Sequence, residues 1–149
     1  KNQFAQTPTS IYDYFKFNNL KISSYDPAPV QPTFDALDEA CDWIENSDAF
    51  VYINPPYNNI LEYVKKLKIE LLKNHLSRAI LLIPVRTQNR WWSRILNLAY
   101  KIEMNDGVVF KSYNKVFPYG VCLVYIDSNK KAFFLKDEAQ ICYINKKFE

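Results

Sequence analysis

The stretch that most limits how this chain can fold is the uninterrupted apolar run "AILLIPV", Ala79 to Val85. A strand with one solvent-exposed face alternates apolar and polar residues, whereas a strand buried on both faces is apolar throughout. We therefore predict a buried parallel strand here. A shorter run, Phe50 to Ile53, predicts a second strand, which stops at Pro55 and Pro56 because proline has no N–H to donate to a sheet.

Helical patterns alternate with these strands. Apolar residues recur at helical spacing between Ile60 and Leu72, and the lysines at 65, 66 and 68 are interpreted as a solvated face. Further helices are predicted over 9–17 and 89–100, and further strands over 20–25, 108–111, 121–126 and within 132–144. Strand, helix, strand, helix and then a cluster of strands predicts an α/β fold whose mixed sheet has an antiparallel terminal edge.

Length and composition predict one domain over residues 1–149, since 149 residues can bury a sizeable core. No apolar run reaches the roughly 18 residues that span a bilayer, and no signal-peptide pattern opens the chain, so we expect no membrane partner. Cys41, Cys122 and Cys142 are widely spaced and form no metal-ligand pattern. They predict small core residues in a reducing, intracellular compartment, either cytoplasm or nucleus.

Glycine content excludes several classes of enzyme. Gly107 and Gly120 are the only glycines, so the chain has no glycine-rich loop to hold a phosphate. This removes P-loop enzymes, kinases and ordinary dehydrogenases. The net charge of +3 is too mild to indicate nucleic acid by itself. No zinc site, Ser-His-Asp arrangement or carboxylate pair of a hydrolase is discernible, and we expect no metal.

The motif "NPPY", residues 54–57, follows the first predicted strand and suits chemistry on an exocyclic amine. The lone pair of such an amine is delocalised into the ring of the base. Two acceptors placed against its N–H groups localise that lone pair, and the side chain of Asn54 and the main-chain carbonyl of Pro55 can supply them. Pro56 adds stiffness, and Tyr57 can stack on the base. The alternative is an ordinary strand-ending turn.

The motif "RTQNRWW" follows the longer predicted strand, so both motifs should lie at one edge of the sheet. Arg86 and Arg90 are four residues apart and share a face if this stretch is helical, where they could bind phosphates or a cofactor carboxylate. A solvated basic face is the alternative. Trp91 and Trp92 should point in different directions, one into the core and the other to the surface or site. We assign Arg86, Arg90 and Trp91 to nucleic-acid binding.

These motifs stand among others in an order that resembles the phage-type DNA adenine-N6 methyltransferases, which use S-adenosylmethionine. The similarity runs from about Thr7 to Phe134. It rests on the blocks "TPTSIYDYF", "SYDPAP", "FDALDEACDW", "YINPPYNN", "LLIPVRTQNRWW", "DGVVF" and "VFPYGVCLVYI". The resemblance implies a compact, Rossmann-like class I methyltransferase fold. It also implies a phage, viral or mobile-element origin.

The same resemblance implies methyl transfer to the N6 amino group of adenine in DNA, with the target base flipped into the NPPY pocket. Asn54, Pro55, Pro56 and Tyr57 would be the catalytic residues. The cofactor, S-adenosylmethionine, would be bound by Thr7, Pro8, Asp26, Ala28 and Asp35, with Asp38 and Asp42 as alternative partners for its ribose. A homodimer partner or a recognition subunit could determine which DNA sequence is methylated.

Two alternatives stay open at this stage. The first is a catalytically degenerate methyltransferase fold that binds nucleic acid or serves as a partner subunit. The second keeps the chemistry and changes the substrate to RNA adenine, cytosine N4 or a glutamine side-chain amide, each of which presents an NH₂ group to a similar motif.

Overall fold

The computed structural model describes residues 6–45, 47–111, 115–131 and 139–149. Its helices are α1 (Thr9–Phe17), α2 (Ile60–Leu72) and α3 (Arg90–Leu98). Its strands are β1 (Val51–Ile53), β2 (Arg78–Pro84), β3 (Lys101–Met104), β4 (Gly107–Val108), β5 (Val121–Asp127), β6 (Gln140–Tyr143) and β7 (Lys147–Phe148).

A five-stranded mixed sheet in the order β1-β2-β5-β3-β6 forms the centre of the fold. β1 and β2 are parallel, β5 is antiparallel to both β2 and β3, and β3 is parallel to β6. β4 and β7 form a separate two-stranded ladder. The mixed α/β class is confirmed. The antiparallel strand was expected at the edge of the sheet, but β5 lies inside it, between β2 and β3.

The two faces of this sheet carry two separate cores. Alternate residues point to opposite faces of a strand, so Val51 and Ile53 pack beneath α2 and α3 while Tyr52 packs beneath α1. β2 and β5 alternate in the same way. The result is a three-layer arrangement in which the predicted buried strand, β2, is buried on both faces. Within the described residues, no helix is long and apolar enough to cross a membrane.

Several predicted elements differ in the structure. The strand expected over 20–25 is a single parallel bridge between Ile22 and Phe50, and the prolines that follow cannot extend it. The helix expected to reach Tyr100 ends at Leu98, because Ala99 adopts an extended backbone (ψ 142°) and leads directly into β3, a strand that was not predicted. The strand expected over 108–111 is reduced to β4. Of the stretch 132–144, residues 132–138 lie outside the described residues.

Two helices end with asparagine in the left-handed conformation that glycine usually adopts. Asn19, after α1, has φ 57°, and Asn74, after α2, has φ 58°. At the end of α2, the N–H of Asn74 donates to the carbonyl of Leu71 and the N–H of His75 donates to that of Glu70, which is the Schellman pattern. Asparagine tolerates this conformation better than other residues, so this glycine-poor chain still ends its helices sharply.

One lysine of α2 is not on the solvated face where it was expected. Lys66 and Glu70 are buried, at 6% and 0% exposure, whereas Leu72, assigned to the apolar face, is 61% exposed. Lys66 Nζ lies 2.8 Å from Glu70 Oε1 and also donates to the main-chain carbonyl of Asp38. His75 Nδ1 bonds to the other oxygen of Glu70. The loop that contains Asp38 covers this part of α2. The hydrophobic periodicity of the helix alone could not predict this burial of Lys66.

The environment of Glu70 also fixes its charge. Burial raises the pKa of the Glu70 carboxyl, but hydrogen bonds from Lys66 and His75 outweigh burial and lower the pKa below its ordinary value of 4.5. A lowered pKa means that ionised Glu70 stabilises the fold above pH 4.5, and that this contribution is lost as the pH falls through the folded value.

We predict that Lys66→Met lowers the free energy of unfolding at pH 7 by about 3 kcal/mol, because it leaves a buried carboxylate without its ammonium partner. Urea denaturation measures the loss. The matched control is Lys65→Met, which removes only a surface ion pair with Glu62 (3.7 Å). The control should change stability by less than about 1 kcal/mol. Equal effects of the two variants would contradict the importance of the buried pair.

Candidate functional site

The two polar motifs leave neighbouring parallel strands at the same edge of the sheet. β1 ends at Ile53 and is followed at once by Asn54, and β2 ends at Pro84 and is followed by the loop 85–89. Because β1 and β2 are parallel, their carboxyl ends coincide. The predicted common edge is therefore confirmed. Clefts at this edge are where open α/β sheets bind their ligands.

Asn54 is held from the amino-terminal segment of the chain. It is 3% exposed, and its side-chain nitrogen donates to Thr7 Oγ1 at 3.2 Å. The same hydroxyl shares a hydrogen bond of 2.9 Å with the phenol of Tyr52, a residue of β1. With its nitrogen directed at Thr7, the amide of Asn54 has its oxygen turned away from Thr7. Pro55 is also buried, so the backbone of the motif is fixed in place.

Tyr57 is half-buried and braced by aromatic rings. Its ring makes edge contacts with Phe110 and Phe117, with centroid separations of 6.0 and 5.5 Å. Its hydroxyl lies 3.5 Å from the main-chain oxygen of Leu82 in β2. Burial raises the pKa of the Tyr57 phenol well above its ordinary range, so the ring is neutral at physiological pH. These contacts set the plane of the Tyr57 ring.

A cleft of about 430 Å³ opens beside the motif. It lies between the loop 27–37 and the start of α2, and its lining includes Ala28, Phe34, Asp35, Pro56, Asn59 and Tyr63. Burial raises the pKa of the Tyr63 phenol, and the nearby carboxylates of Asp35 and Asp26 raise it further. The cleft therefore combines aromatic faces with negative charge and shares Pro56 with the NPPY motif.

The structure separates the residues predicted to bind a cofactor. Ala28 and Asp35 line the cleft, whereas Thr7 and Pro8 are buried beside α1, and Thr7 contacts Asn54. Asp26 Oδ1 accepts from the N–H of Ala28 at 2.8 Å and so caps the turn at the mouth of the cleft.

Among the three candidate acids for a ribose, Asp35 lines the cleft. Asp35 Oδ1 accepts from the N–H of Leu37 and Asp38 Oδ1 from that of Ala40, but Asp38 does not line the cleft, and Asp42 lies 3.8 Å from His75.

The arginines are arranged differently from the prediction. Arg86 lies in the loop before α3, so it does not share a helical face with Arg90, and that expectation is wrong. The Arg86 guanidinium instead lies 4.3 Å from the centre of the Tyr119 ring. Arg90 shares its helical face with Arg94, four residues on, and both are exposed.

Sequence reasoning missed both Tyr119 and Arg94. The predicted helix over 89–100 already placed Arg94 one turn after Arg90, so its shared face was visible in the sequence, whereas the contact of Tyr119 with Arg86 was not.

Both tryptophans of the second motif are buried, Trp91 at 8% and Trp92 at 5% exposure. The expectation that one of them lies at the surface is therefore wrong, and Trp91 offers little surface to a nucleic acid. The reason is the width of the apolar face of α3, which also includes Ile95 and Leu98. Neighbouring residues on a helix are about 100° apart, and both fit within such an arc.

A cluster of possible metal ligands lies at the far end of α2. Ligand atoms of Asp42, Glu70 and His75 lie within 4.8 Å of one another. The Lys66 ammonium, 2.8 Å from Glu70 Oε1, already supplies the positive charge that an ion would bring. The sequence-based expectation of no metal stays a prediction.

The geometry of the motifs accords with the comparison to known families. A family model described as DNA N-6-adenine-methyltransferase (Dam) matches residues 2–111. The chain belongs to this family. The Dam match includes Thr7, the NPPY motif and the loop of Arg86, and it ends before β5, the strand that joins the two halves of the sheet. No curated protein and no solved structure matches the chain significantly.

Proposed function

We propose that this Dam-family protein transfers a methyl group from S-adenosylmethionine to the N6 amino group of adenine in DNA, with the target base flipped into the pocket at Asn54–Tyr57. The observation that carries the proposal is the buried side chain of Asn54, oriented by Thr7 at the carboxyl end of β1, in a motif whose Pro56 lines a ligand-sized cleft. The family match supplies the chemistry, and the position of the motif supplies the site.

We also propose that the fold is of the Rossmann-like class I methyltransferase type. The supporting feature is the parallel pair β1 and β2, joined by α2 and covered by helices on both faces of the sheet. In folds of this type, the ligand lies beyond the carboxyl ends of the parallel strands.

The cleft beside Pro56 suits S-adenosylmethionine. Its volume of about 430 Å³ lies in the range of small-molecule sites. Asp35 can accept hydrogen bonds from the ribose hydroxyls, and Phe34 and Tyr63 offer aromatic faces for the adenine ring. The negative charge of Asp35 and Asp26 also favours a cationic sulfonium. Thr7 and Pro8 do not line this cleft, so we do not assign them to the cofactor.

When bound, S-adenosylmethionine supplies an electrophilic methyl group. The contribution of the chain is to prepare the amine of the base. The Asn54 side-chain oxygen and the Pro55 main-chain oxygen accept from its two N–H groups, which shifts the nitrogen toward tetrahedral geometry and localises its lone pair. The burial of Pro55 fixes the acceptor oxygens, and the aromatic neighbours of Tyr57 fix its ring, before the substrate arrives. The site therefore needs little reorganisation during methyl transfer. Tyr57 stacks on the flipped base.

The basic residues at the same edge suit the DNA backbone. Arg86, Arg90 and Arg94 are exposed: Arg86 lies in the loop before α3, Arg90 begins the helix, and Arg94 lies one turn further along it. Arginine contacts to phosphates contribute affinity for DNA without sequence specificity. We propose Arg86 and Arg90 as phosphate contacts and add Arg94, because it shares the face of Arg90. Buried Trp91 is not among them.

We predict that saturating S-adenosylmethionine raises the melting temperature and gives a binding heat in calorimetry, because ligand bound to the native state must stabilise it. Asp35→Asn should weaken binding by roughly 10-fold, in line with one lost charge-assisted hydrogen bond. Asp38→Asn is the matched control, since both carboxylates accept from a backbone N–H two residues on but Asp38 does not line the cleft. Wild-type protein that gives neither signal would instead support a degenerate subunit without cofactor.

We predict that Asn54→Ala lowers turnover by roughly 100-fold or more, because it removes an acceptor that acts in the transition state. Methylation is followed by mass spectrometry of nucleosides from digested DNA and RNA substrates. This assay also distinguishes N6-methyladenine from N4-methylcytosine. Asn58→Ala is the control, since Asn58 is exposed in the same loop. A melting temperature close to wild type shows that the fold is retained, and unchanged turnover would remove Asn54 from the mechanism.

The predictions for Arg86 and Tyr57 separate charge from stacking. Arg86→Ala or Arg90→Ala should weaken DNA binding and flatten the slope of log affinity against log salt by about one unit. Tyr57→Ala should cost roughly 1 to 3 kcal/mol with the slope intact, because stacking is uncharged. Lys68→Ala, on the exposed face of α2, is the control for a basic residue remote from the edge. Arginine variants that keep the full wild-type slope would show that these side chains do not contact the backbone.

A further inference from the structure

The proposed chemistry requires that one particular end of the Asn54 amide face the substrate. A side-chain amide has a carbonyl oxygen at one end and an NH₂ group at the other, and rotation by 180° exchanges them. The oxygen accepts from the amine of the base, whereas a rotated amide would set its own N–H groups against those of the base. The torsion that controls this rotation has a broad, roughly two-fold preference. Some neighbour must therefore hold the nitrogen end.

Thr7 is placed to do this. Its hydroxyl oxygen accepts from Asn54 Nδ2 at 3.2 Å and shares a hydrogen bond of 2.9 Å with the phenol of Tyr52. All three residues are nearly inaccessible to water, with exposures of 6% for Thr7, 3% for Asn54 and 5% for Tyr52. Buried hydrogen bonds of this kind are costly to break, since no water replaces the lost partner.

Thr7 and Tyr52, which form this hydrogen-bond chain with Asn54, are themselves held rigidly. Tyr52 is a residue of β1, and its ring packs on Phe15 and Tyr12 of α1 with centroid separations of 5.4 and 5.6 Å. Thr7 precedes α1 by two positions. Burial raises the pKa of the Tyr52 phenol well above its ordinary range, so the phenol keeps its hydrogen. The packing of α1 on the sheet therefore sets the distance between Thr7 and Asn54.

We propose that Thr7 is a positioning residue, whose hydroxyl oxygen accepts from Asn54 Nδ2 and so holds the Asn54 oxygen toward the target amine. The nitrogen end of an amide can only donate and its oxygen end can only accept, so the contact with Thr7 Oγ1, which also shares a hydrogen bond with Tyr52, holds the nitrogen end and leaves the oxygen end for the substrate. The inference rests on the proposed function. It replaces the cofactor contact expected for Thr7, because its hydroxyl is engaged by Tyr52 and Asn54 and it does not line the cleft.

The first test compares Thr7→Val, which keeps the shape and removes the hydroxyl, with Thr7→Ser, which keeps the hydroxyl. Thr7→Val should lower kcat by roughly 10-fold or more, as expected for losing one buried hydrogen bond. Its Kd for S-adenosylmethionine should stay within about two-fold of wild type, and Thr7→Ser should recover most of the turnover. Thr9→Val, an exposed threonine two positions away, is the matched control and should behave as wild type.

The second test asks whether Thr7 acts through Asn54. If it does, adding Thr7→Val to Asn54→Ala should cause little further loss of kcat, because the group to be positioned is already gone. If the double variant instead shows a loss of kcat equal to the product of the two single-variant losses, the inference is overturned. A raised Kd for S-adenosylmethionine with unchanged kcat would also overturn it, and would return Thr7 to the cofactor. Tyr52→Phe should cause a smaller loss in the same direction as Thr7→Val.

A third measurement needs no turnover and separates this inference from the proposed function. In wild type and Thr7→Ser, the side-chain NH₂ resonances of Asn54 should be shielded from exchange with solvent, and in Thr7→Val they should lose this protection. Equal protection in all three proteins would overturn the positioning role. Inactive wild-type protein with the predicted protection pattern would reject the proposed function and leave the Thr7–Asn54 contact established.

Discussion

The parallel pairing of β1 and β2 is the contact on which the remaining structure depends. It brings the loop after Ile53 and the loop after Pro84 to one edge, although the residues between them form the whole of α2. Because both strands are buried, their side chains supply two cores at once, one beneath α2 and α3 and one beneath α1. A shift of one residue in this register would exchange the faces of every side chain in β1. The tyrosine that holds Thr7 would then point to the wrong core.

Buried polar groups fix the helices that surround this pair. Glu103 of β3 accepts from Tyr14 of α1 at 2.9 Å and also from Tyr125, which attaches α1 to the far half of the sheet. Lys131 Nζ donates to the carbonyls of Leu96 and Ala99 at the end of α3, each at 3.0 Å. Such groups are costly to bury unless they are paired. Their pairing specifies one arrangement of α1 and α3, the helices next to the candidate site.

The wall of the cleft is made without regular secondary structure. Asp26, Asp35 and Asp38 each accept from a backbone N–H two residues on, and so form a series of short turns between residues 26 and 40. Trp43, fully buried, anchors this segment through its indole N–H, which donates to the carbonyl of Ala36 at 2.9 Å. Few residues are therefore needed to close one side of a ligand-sized space. The carboxylates that shape the turns also give the cleft its charge.

The sequence by itself determined the main local elements and the family. Apolar periodicity located α2 and β2, two prolines ended β1 after Ile53, and the order of blocks led to the Dam family, because all of these signals lie within short stretches of chain. Only the tertiary structure decided the features that depend on distant residues. These include the burial of Lys66 under the loop of Asp38, the place of β5 inside the sheet and the contact of Thr7 with Asn54. Each joins residues far apart in the chain, and such pairing depends on the packing of whole layers, which local propensity does not encode.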